Sequence, residues 1–425
     1  MFFIFGFVTW LNGPLIAFVK LAFTLGDVAA FLVPMVFYAS YLFLALPAAA
    51  ILRRTGMKRG MALGLLVMAL GAALFGQFAT MRLFGGALFG LFVIGAGLAL
   101  LQTAANPYIS IVGPIESAAQ RIAVMGICNK SAGIMAPIVF GLLVMRGVGD
   151  LAARAAVAAS PAAREALLDT FAKKIHGPYL VMAAVLALLA FGVLRSPLPE
   201  LSVGARHDAP REARGLLAFP HFWLGVLCLF LYVGVEVMAG DAIGTYGAGF
   251  GLSIAQTGYF TSMTLAGMLA GYVAGLAIVP RLFSQERYLA ISAALGIVLA
   301  VGAYLTRGYA SVGFVAALGF ANAMMWPAIF PLAIRGLGRY TETGSAIMIM
   351  AICGGAIVPQ LFAVLKQHHD FQLVFLLLIV PAYAYILFFA VLGNRVNRTT
   401  VNGMAMTGTA TGAAMNGMAM NKAGA

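Results

Sequence analysis

Residues 98–112 read LALLQTAANPYISIV and residues 318–332 read LGFANAMMWPAIFPL. Both are apolar runs of the kind that cross a membrane, and both are interrupted, the first by Gln102, Asn106 and Pro107, the second by Asn322, Trp326 and Pro327. Gln102 with Asn106, and Asn322 with Trp326, are spaced i,i+4, which puts each pair on one helix face. The proline that follows removes an amide donor and frees carbonyls. Both stretches therefore predict a helix broken beside a polar face inside lipid, which suits a binding site.

The rest of the composition supports a membrane setting. The chain has 425 residues, 63% hydrophobic and 9% charged, with mean hydropathy +1.00, whereas a soluble domain carries roughly a quarter charged residues. No alternating ten-residue strands occur, so the spans read as helices rather than a barrel. A net charge of +13 in a soluble protein would suggest nucleic acid, but the placement of the charge excludes that reading. Arg53, Arg54, Lys58 and Arg59 cluster after the second span, and Arg121, Arg195 to Arg214, Arg281, Arg287, Arg335, Arg339, Arg395 and Arg398 fall on the same side. The opposite short loops hold mainly Lys20, Arg82, Arg307 and Lys366, the positive-inside bias of a bacterial inner-membrane protein with both termini cytoplasmic. The loop Gly147 to Gly177 is the exception, and its basic residues are mixed with Asp150, Glu165 and Asp169.

At roughly 20 residues per span, helices are predicted near 2–19, 28–52, 60–80, 83–112, 121–146, 178–195, 221–246, 253–280, 287–306, 309–335, 343–366 and 371–393. These give a six-helix bundle over 1–195, a cytoplasmic linker over 196–220, a second six-helix bundle over 221–393 and a disordered low-complexity tail over 394–425. Pro107 and Pro327 stand 220 residues apart, and the frames GIMAP at 133–137 and GAIVP at 355–359 place their prolines 222 apart. Matched order and spacing point to two six-helix repeats of like orientation, with a site at their junction. The first residues, MFFIFGFVTW, lack a basic leader or cleavage site, so the first span reads as retained. Cys128, Cys228 and Cys353 lie in apolar runs and read as small buried hydrophobes.

The segments FFIFGFVTWLNGPLI at 2–16, LQTAANPYISIVGPIESAAQRIAVMGICNKSAG at 101–133 and LYVGVEVMAGDAIGTYG at 231–247 resemble the major facilitator superfamily. Within it, the likeness is to the fucose/galactose/glucose symporter family, closest to the bacterial glucose/galactose and N-acetylglucosamine permease branch. The likeness runs from about Phe2 to Leu392, and the AANP block is its most specific piece. It implies an all-α polytopic membrane protein of the major facilitator fold, with about twelve transmembrane helices in two six-helix repeats. The superfamily's loop signature, Gly-x-x-x-Asp-Arg-x-Gly-x-Arg-Arg, is degraded here to AAILRRTGMKR at 49–59. Ala49 and Arg53 replace the glycine and the acid, leaving Arg54, Gly56, Lys58 and Arg59 as the matching gating-loop positions. Fucose permease relatives carry acids implicated in proton coupling at two positions that read Gly13 and Gln102 here, so that mechanism does not carry over directly.

Charged groups in hydrocarbon are costly and are functional candidates by default. Glu236 lies inside the seventh span, Asp241 nearer its outer end and Lys130 inside the fifth. Five residues at 100° each place Glu236 and Asp241 roughly 140° apart, so they are not expected to pair. Burial disfavours the charged form of a carboxylate, which makes Glu236 the main ion-coupling candidate; the alternative is a structural ion pair, with Lys130 as its partner. Asp241 is a second coupling candidate, or a cap or gate. Lys130 either ties the halves together or snorkels into a cavity.

A sugar offers many hydroxyls that donate and accept, so its site needs neutral amides and an aromatic plate. Asn12, Gln102, Asn106, Asn129 and Asn322 supply amides, and Trp326 could stack on a pyranose face. Each amide alone could equally bridge helices. Asn12 precedes Gly13-Pro14, so the first helix is also expected to break.

Enzyme signals are poor. GVGD at 147–150 lacks a second intramembrane aspartate, His368-His369 lacks a third ligand, the sequon at Asn397 falls in the cytoplasmic tail, and no Gly-x-x-x-x-Gly-Lys loop occurs. NGMAM at 402 and again at 416 belongs to the tail. The expected function is secondary active uptake of a neutral hexose or N-acetylhexosamine by alternating access, coupled to protons. Sodium coupling, through carbonyls at a broken helix, and a non-transporting sugar receptor are the alternatives. The expected partners are a small sugar, a proton or sodium ion and the bilayer, with no metal, cofactor or nucleic acid, and the chain acting as a monomer.

Overall fold

Backbone amides in hydrocarbon must be satisfied within their own segment, which forces the apolar runs into helices. In the computed structural model, all regular secondary structure among the described residues is helical. Those residues are 1–111, 118–158, 160–199, 215–279 and 282–396. Eleven helices are long and apolar enough to cross a membrane, and the bent pair Gly308–Asn322 and Met325–Ile334 makes a twelfth span. Six spans precede residues 200–214 and six follow; those linker residues, Arg281, and the tail with its sequon from 397 lie outside the described residues. Phe43, Leu70, Phe89, Leu142, Leu188, Val298 and Leu377 are all more than half exposed, an outer apolar belt suited to lipid rather than water.

In the first half the third span (Met57–Thr80) packs against the fourth (Phe84–Ile111) and sixth (His176–Arg195), and the first (Phe2–Ala22) against the fifth (Ala118–Leu143). In the second half the ninth (Gln285–Leu305) packs against the twelfth (Phe371–Val391), and the seventh (Pro220–Gly240) against the eleventh (Thr343–Leu365). The halves meet where the fifth span crosses the eighth (Ile254–Ile278) and where the second (Asp27–Thr55) meets the eleventh.

The matched breaks expected in the fourth and tenth spans are not matched. The fourth span runs unbroken through Pro107 to Ile111 and packs against the second and third spans. The tenth bends by 41° at Ala323–Met324, not at Trp326-Pro327. Ala323 is the residue four before Pro327, whose carbonyl the proline ring would strike in a continuous helix. Pro327 then falls in the first turn of Met325–Ile334, where an amide has no intrahelical partner to lose. The first span follows the same rule. Its helices Phe2–Thr9 and Asn12–Ala22 part at Trp10 and Leu11, four residues before Pro14.

Three further differences concern loops and surface. The stretch Gly147 to Gly177 is not irregular: it holds helices Val148–Ala156 and Pro161–Lys173. Arg82, in the turn between the third and fourth spans, pairs with Glu165 and with Asp169, the latter at 3.0 Å, so that loop's acids have a specific partner. Cys228 and Cys353 are buried as expected, but Cys128 is exposed. In the gating loop, Gly56 turns the chain at φ +79°, a backbone conformation that disfavours any side chain. The Lys58 Nζ donates to the Ser196 carbonyl at 2.7 Å, while Arg54 and Arg59 are exposed.

Candidate functional site

The crossing of the first and fifth spans sets the site. Gly6 lies so close to the Asn129 backbone that a Cβ there would fall 1.8 Å from the Asn129 carbonyl oxygen. This approach presents Asn129 and Lys130 to the break in the first span. Trp10, at that break, is wedged between Gly133 of the fifth span and Gly240 of the seventh, each of which would strike its ring if it carried a Cβ. The Trp10 Nε1 donates to Asn129 Oδ1 at 3.4 Å, and its ring lies 4.4 Å beneath Lys130 Nζ.

Lys130 Nζ also meets Glu236 Oε1 at 2.9 Å. The pair joins the fifth span of the first half to the seventh of the second, and its side chains are only 9% and 12% exposed. The two charges thus neutralise one another where neither could stand alone cheaply.

Around this pair lies a cavity of about 140 Å³. Its wall includes Gln102, Asn129, Lys130, Glu236 and Trp326, together with Trp10, Tyr38, Tyr41, Tyr232 and Tyr272. Gln102 is oriented by its amide, which donates to the Tyr41 hydroxyl at 3.0 Å, and Trp326 lies nearly parallel to Phe330 with ring centres 5.9 Å apart. The volume is below the range of about 300–1,000 Å³ usual for drug-sized ligands, so the cavity suits a small solute. Its polar groups are amides and hydroxyls with a single ion pair, a set that both donates and accepts.

The cavity runs from mid-depth toward Phe2, which lines it. The other end of the bundle is closed. There Asp27 takes Lys20 from its own half and Lys366 from the other, and the Gln360 amide donates to the Val28 carbonyl at 3.2 Å. The halves are therefore tied at one end and separated by a cavity toward the other.

Gln102, Asn129, Lys130, Glu236 and Trp326 are thus brought together, and the Lys130–Glu236 pairing left open by the sequence is present. Asn12 and Asn322, expected in the sugar site, do not line the cavity. Asn12 is 1% exposed. Asn322 is fully buried, its Oδ1 accepting from the Tyr383 hydroxyl at 2.7 Å and its carbonyl, freed by the helix break, from the Tyr232 hydroxyl at 3.3 Å. It fastens the tenth span to the seventh and twelfth. Asp241 stands behind the wall, its Oδ2 accepting from the Tyr38 hydroxyl at 3.4 Å. The Asn106 side chain lies outside the described residues.

Sequence reasoning missed Trp10 and the four tyrosines. Trp10 carried one usable signal, its position four residues before Pro14. The tyrosines carried none, since an aromatic in a membrane helix is ordinarily packing.

The family model of the Major Facilitator Superfamily matches residues 1–360. The chain is 32% identical over 400 residues to a glucose/galactose transporter of Brucella abortus, covering 93% of this chain and 92% of that one. It is 29% identical over 369 residues to an L-fucose-proton symporter of Escherichia coli, covering 84% and 83%. Its fold matches the crystal structure of a Major Facilitator Superfamily transporter, FucP, in the outward conformation, with TM-score 0.73 and 27% identity over 92% of this chain and 95% of that one.

Proposed function

The chain belongs to the major facilitator superfamily, and from that premise we propose that it is a proton-coupled symporter that takes up a neutral hexose or N-acetylhexosamine of the glucose, galactose, fucose and N-acetylglucosamine class. It is a multi-pass membrane transporter and not an enzyme. The carrying observation is the cavity between the halves, walled by amides, tyrosines and Trp326 and crossed by one buried Lys130–Glu236 pair. The relatives named for glucose, galactose and fucose transport support the substrate class.

Gln102 and Asn129 exchange hydrogen bonds with sugar hydroxyls, and Trp326 offers its face to the apolar side of the ring. Transport is a rocking of the two halves about this site. The Asp27 contacts with Lys20 and Lys366 part as the far end opens, while the cavity closes toward Phe2. Protonation of Glu236 removes its attraction for Lys130 and loosens the tie between fifth and seventh spans, which couples the proton to the movement. The membrane is the bacterial inner membrane with both termini cytoplasmic, in line with the distribution of Arg and Lys, so the cavity faces the cytoplasm. Residues 1–195 and 221–393 form the two moving bodies, and the transporter works as a monomer.

Purified protein in liposomes tests this reading. Glucose, galactose, fucose, mannose and N-acetylglucosamine are offered with an imposed pH gradient or an imposed sodium gradient. Accumulation of at least one sugar with the pH gradient alone is expected. Accumulation only with sodium would transfer the coupling to that ion, and binding without flux under either gradient would make the protein a receptor.

A further inference from the structure

Asp241 has an environment unlike that of Glu236. It follows directly on the seventh helix, its amide bonded to the Val237 carbonyl at 2.7 Å, and it is 1% exposed. Glu236 has a lysine at 2.9 Å; among the described residues Asp241 has no ion pair. Among the described residues, its side-chain hydrogen-bond donor is the Tyr38 hydroxyl at 3.4 Å, on Oδ2. The other oxygen, Oδ1, faces the Gly13 backbone without a hydrogen bond of ordinary geometry, and the neighbouring Asn12 Nδ2 is likewise unpartnered.

Among the described residues, the elements packed against Asp241 place no cation at hydrogen-bond distance. The first span presents Asn12 and Gly13, and a Cβ on Gly13 would sit 3.3 Å from Asp241 Oδ1. Thr261 of the eighth span, which crowds the same glycine, sends its hydroxyl to the Gly240 carbonyl at 2.8 Å, not to the carboxylate. The titratable and charged groups that act on Asp241 are Tyr38 from the second span, Glu236 from its own span and Lys130 from the fifth. Lys130 is already engaged by Glu236 and Trp10. A carboxylate with no cation at hydrogen-bond distance, helped by the Tyr38 hydroxyl and the Gly13 backbone alone, is an expensive arrangement in a dry pocket, whereas a carboxylic acid there has no charge to desolvate and has a proton of its own to donate.

Tyr38 connects this pocket to the cavity, because its ring lines the cavity while its hydroxyl faces Asp241. We propose that Asp241 is a second proton-holding site of the transport cycle, loaded and emptied through the Tyr38 hydroxyl. Loading moves one proton: a hydronium ion entering the cavity gives its excess proton to the Tyr38 oxygen as the hydroxyl's own proton passes to Asp241 Oδ2, leaving a water molecule, a neutral tyrosine and the aspartate as a carboxylic acid. Emptying is the reverse. This deepens the symport reading and rests on it, assigning a coupling proton to a group behind the sugar cavity rather than in its wall.

The test measures sugar-driven proton uptake with an entrapped pH dye, alongside labelled-sugar counterflow, in the same liposomes. Wild-type protein must show sugar-driven proton uptake; if it does not, the symport reading fails before Asp241 is in question. Given that, Asp241→Asn is expected to lower the protons taken up per sugar about twofold, Glu236 still carrying its own, while counterflow falls no more than a few-fold and its pH profile changes from that of the wild type. Tyr38→Phe should slow proton uptake with the proton-to-sugar ratio unchanged. Wild-type proton uptake and pH profile in Asp241→Asn would overturn the proposal. Should that variant fail to insert, Asp241→Glu decides: it should retain proton uptake with a displaced pH profile, and an unaltered profile would overturn the proposal equally.

Discussion

Replacing Lys130 with methionine leaves the Glu236 carboxylate facing Trp10 and tyrosines with no cation at hydrogen-bond distance, and the cost can be worked from the geometry. At 2.9 Å and an effective dielectric of about 20, two unit charges attract by about 6 kcal/mol. Desolvating the two ions costs several kcal/mol each, so the intact pair contributes little net stability. Removing one partner forfeits the attraction but leaves the other ion's desolvation in place, and at 9% and 12% exposure water does little to rescreen it. Lys130→Met and Glu236→Gln should each lose about 3–5 kcal/mol, while the double variant, with no charge left, should lie within about 1 kcal/mol of the parent. The assay is a double-mutant cycle on unfolding in detergent, run beside uptake in liposomes. Both single variants should fail to concentrate sugar under a pH gradient yet still exchange it by counterflow. Additive stability losses, or full accumulation by either single variant, would refute the view that this pair is a dry tie between halves and a coupling element.

Other perturbations separate the roles assigned to neighbouring residues. Trp326→Ala should raise the KM for sugar about tenfold, with Trp326→Phe intermediate, as counterflow at graded sugar concentrations will show; an unchanged KM would remove Trp326 from the site. Asn322→Ala should leave the KM unchanged but lower thermal stability by about 1–3 kcal/mol, because it strands the buried Tyr383 hydroxyl; the reverse pattern would return Asn322 to the sugar site. Asp27→Asn should loosen the closed end by about 1–3 kcal/mol, since it weakens contacts to both Lys20 and Lys366. Spin labels on the turns after the first and eleventh spans should then report longer distances, and unchanged distances would exclude Asp27 as a latch.

Much of the fold was legible because its cause is local. Lipid satisfies no backbone hydrogen bond, so every long apolar run had to be a helix, and the half-chain echo of GIMAP and GAIVP marked the two repeats. The breaks were legible in kind but not in place. A proline announces that a helix is disturbed near it, yet whether the chain parts depends on what encloses it: Pro14 and Pro327 part their helices four residues upstream, while Pro107 leaves the fourth span unbroken. The amides were harder still. Gln102 and Asn322 look alike in sequence, but one meets the cavity and the other bonds Tyr383 behind it, because the rotation of a helix about its axis is set by its neighbours.

By itself, then, the sequence determined that this is a twelve-span membrane protein in two halves, and that Lys130, Glu236 and Asp241 are charges in costly places and so candidates for a role. Hydrocarbon imposes those conclusions on any chain of this composition. Only the tertiary structure decided that Lys130 and Glu236 meet across the halves, that Asp241 lies behind Tyr38 with no ion pair among the described residues, and that Trp10 with four tyrosines completes the wall. Those outcomes depend on close helix crossings such as Gly6 against Asn129, in which residues more than a hundred positions apart share one surface, and no local pattern records them.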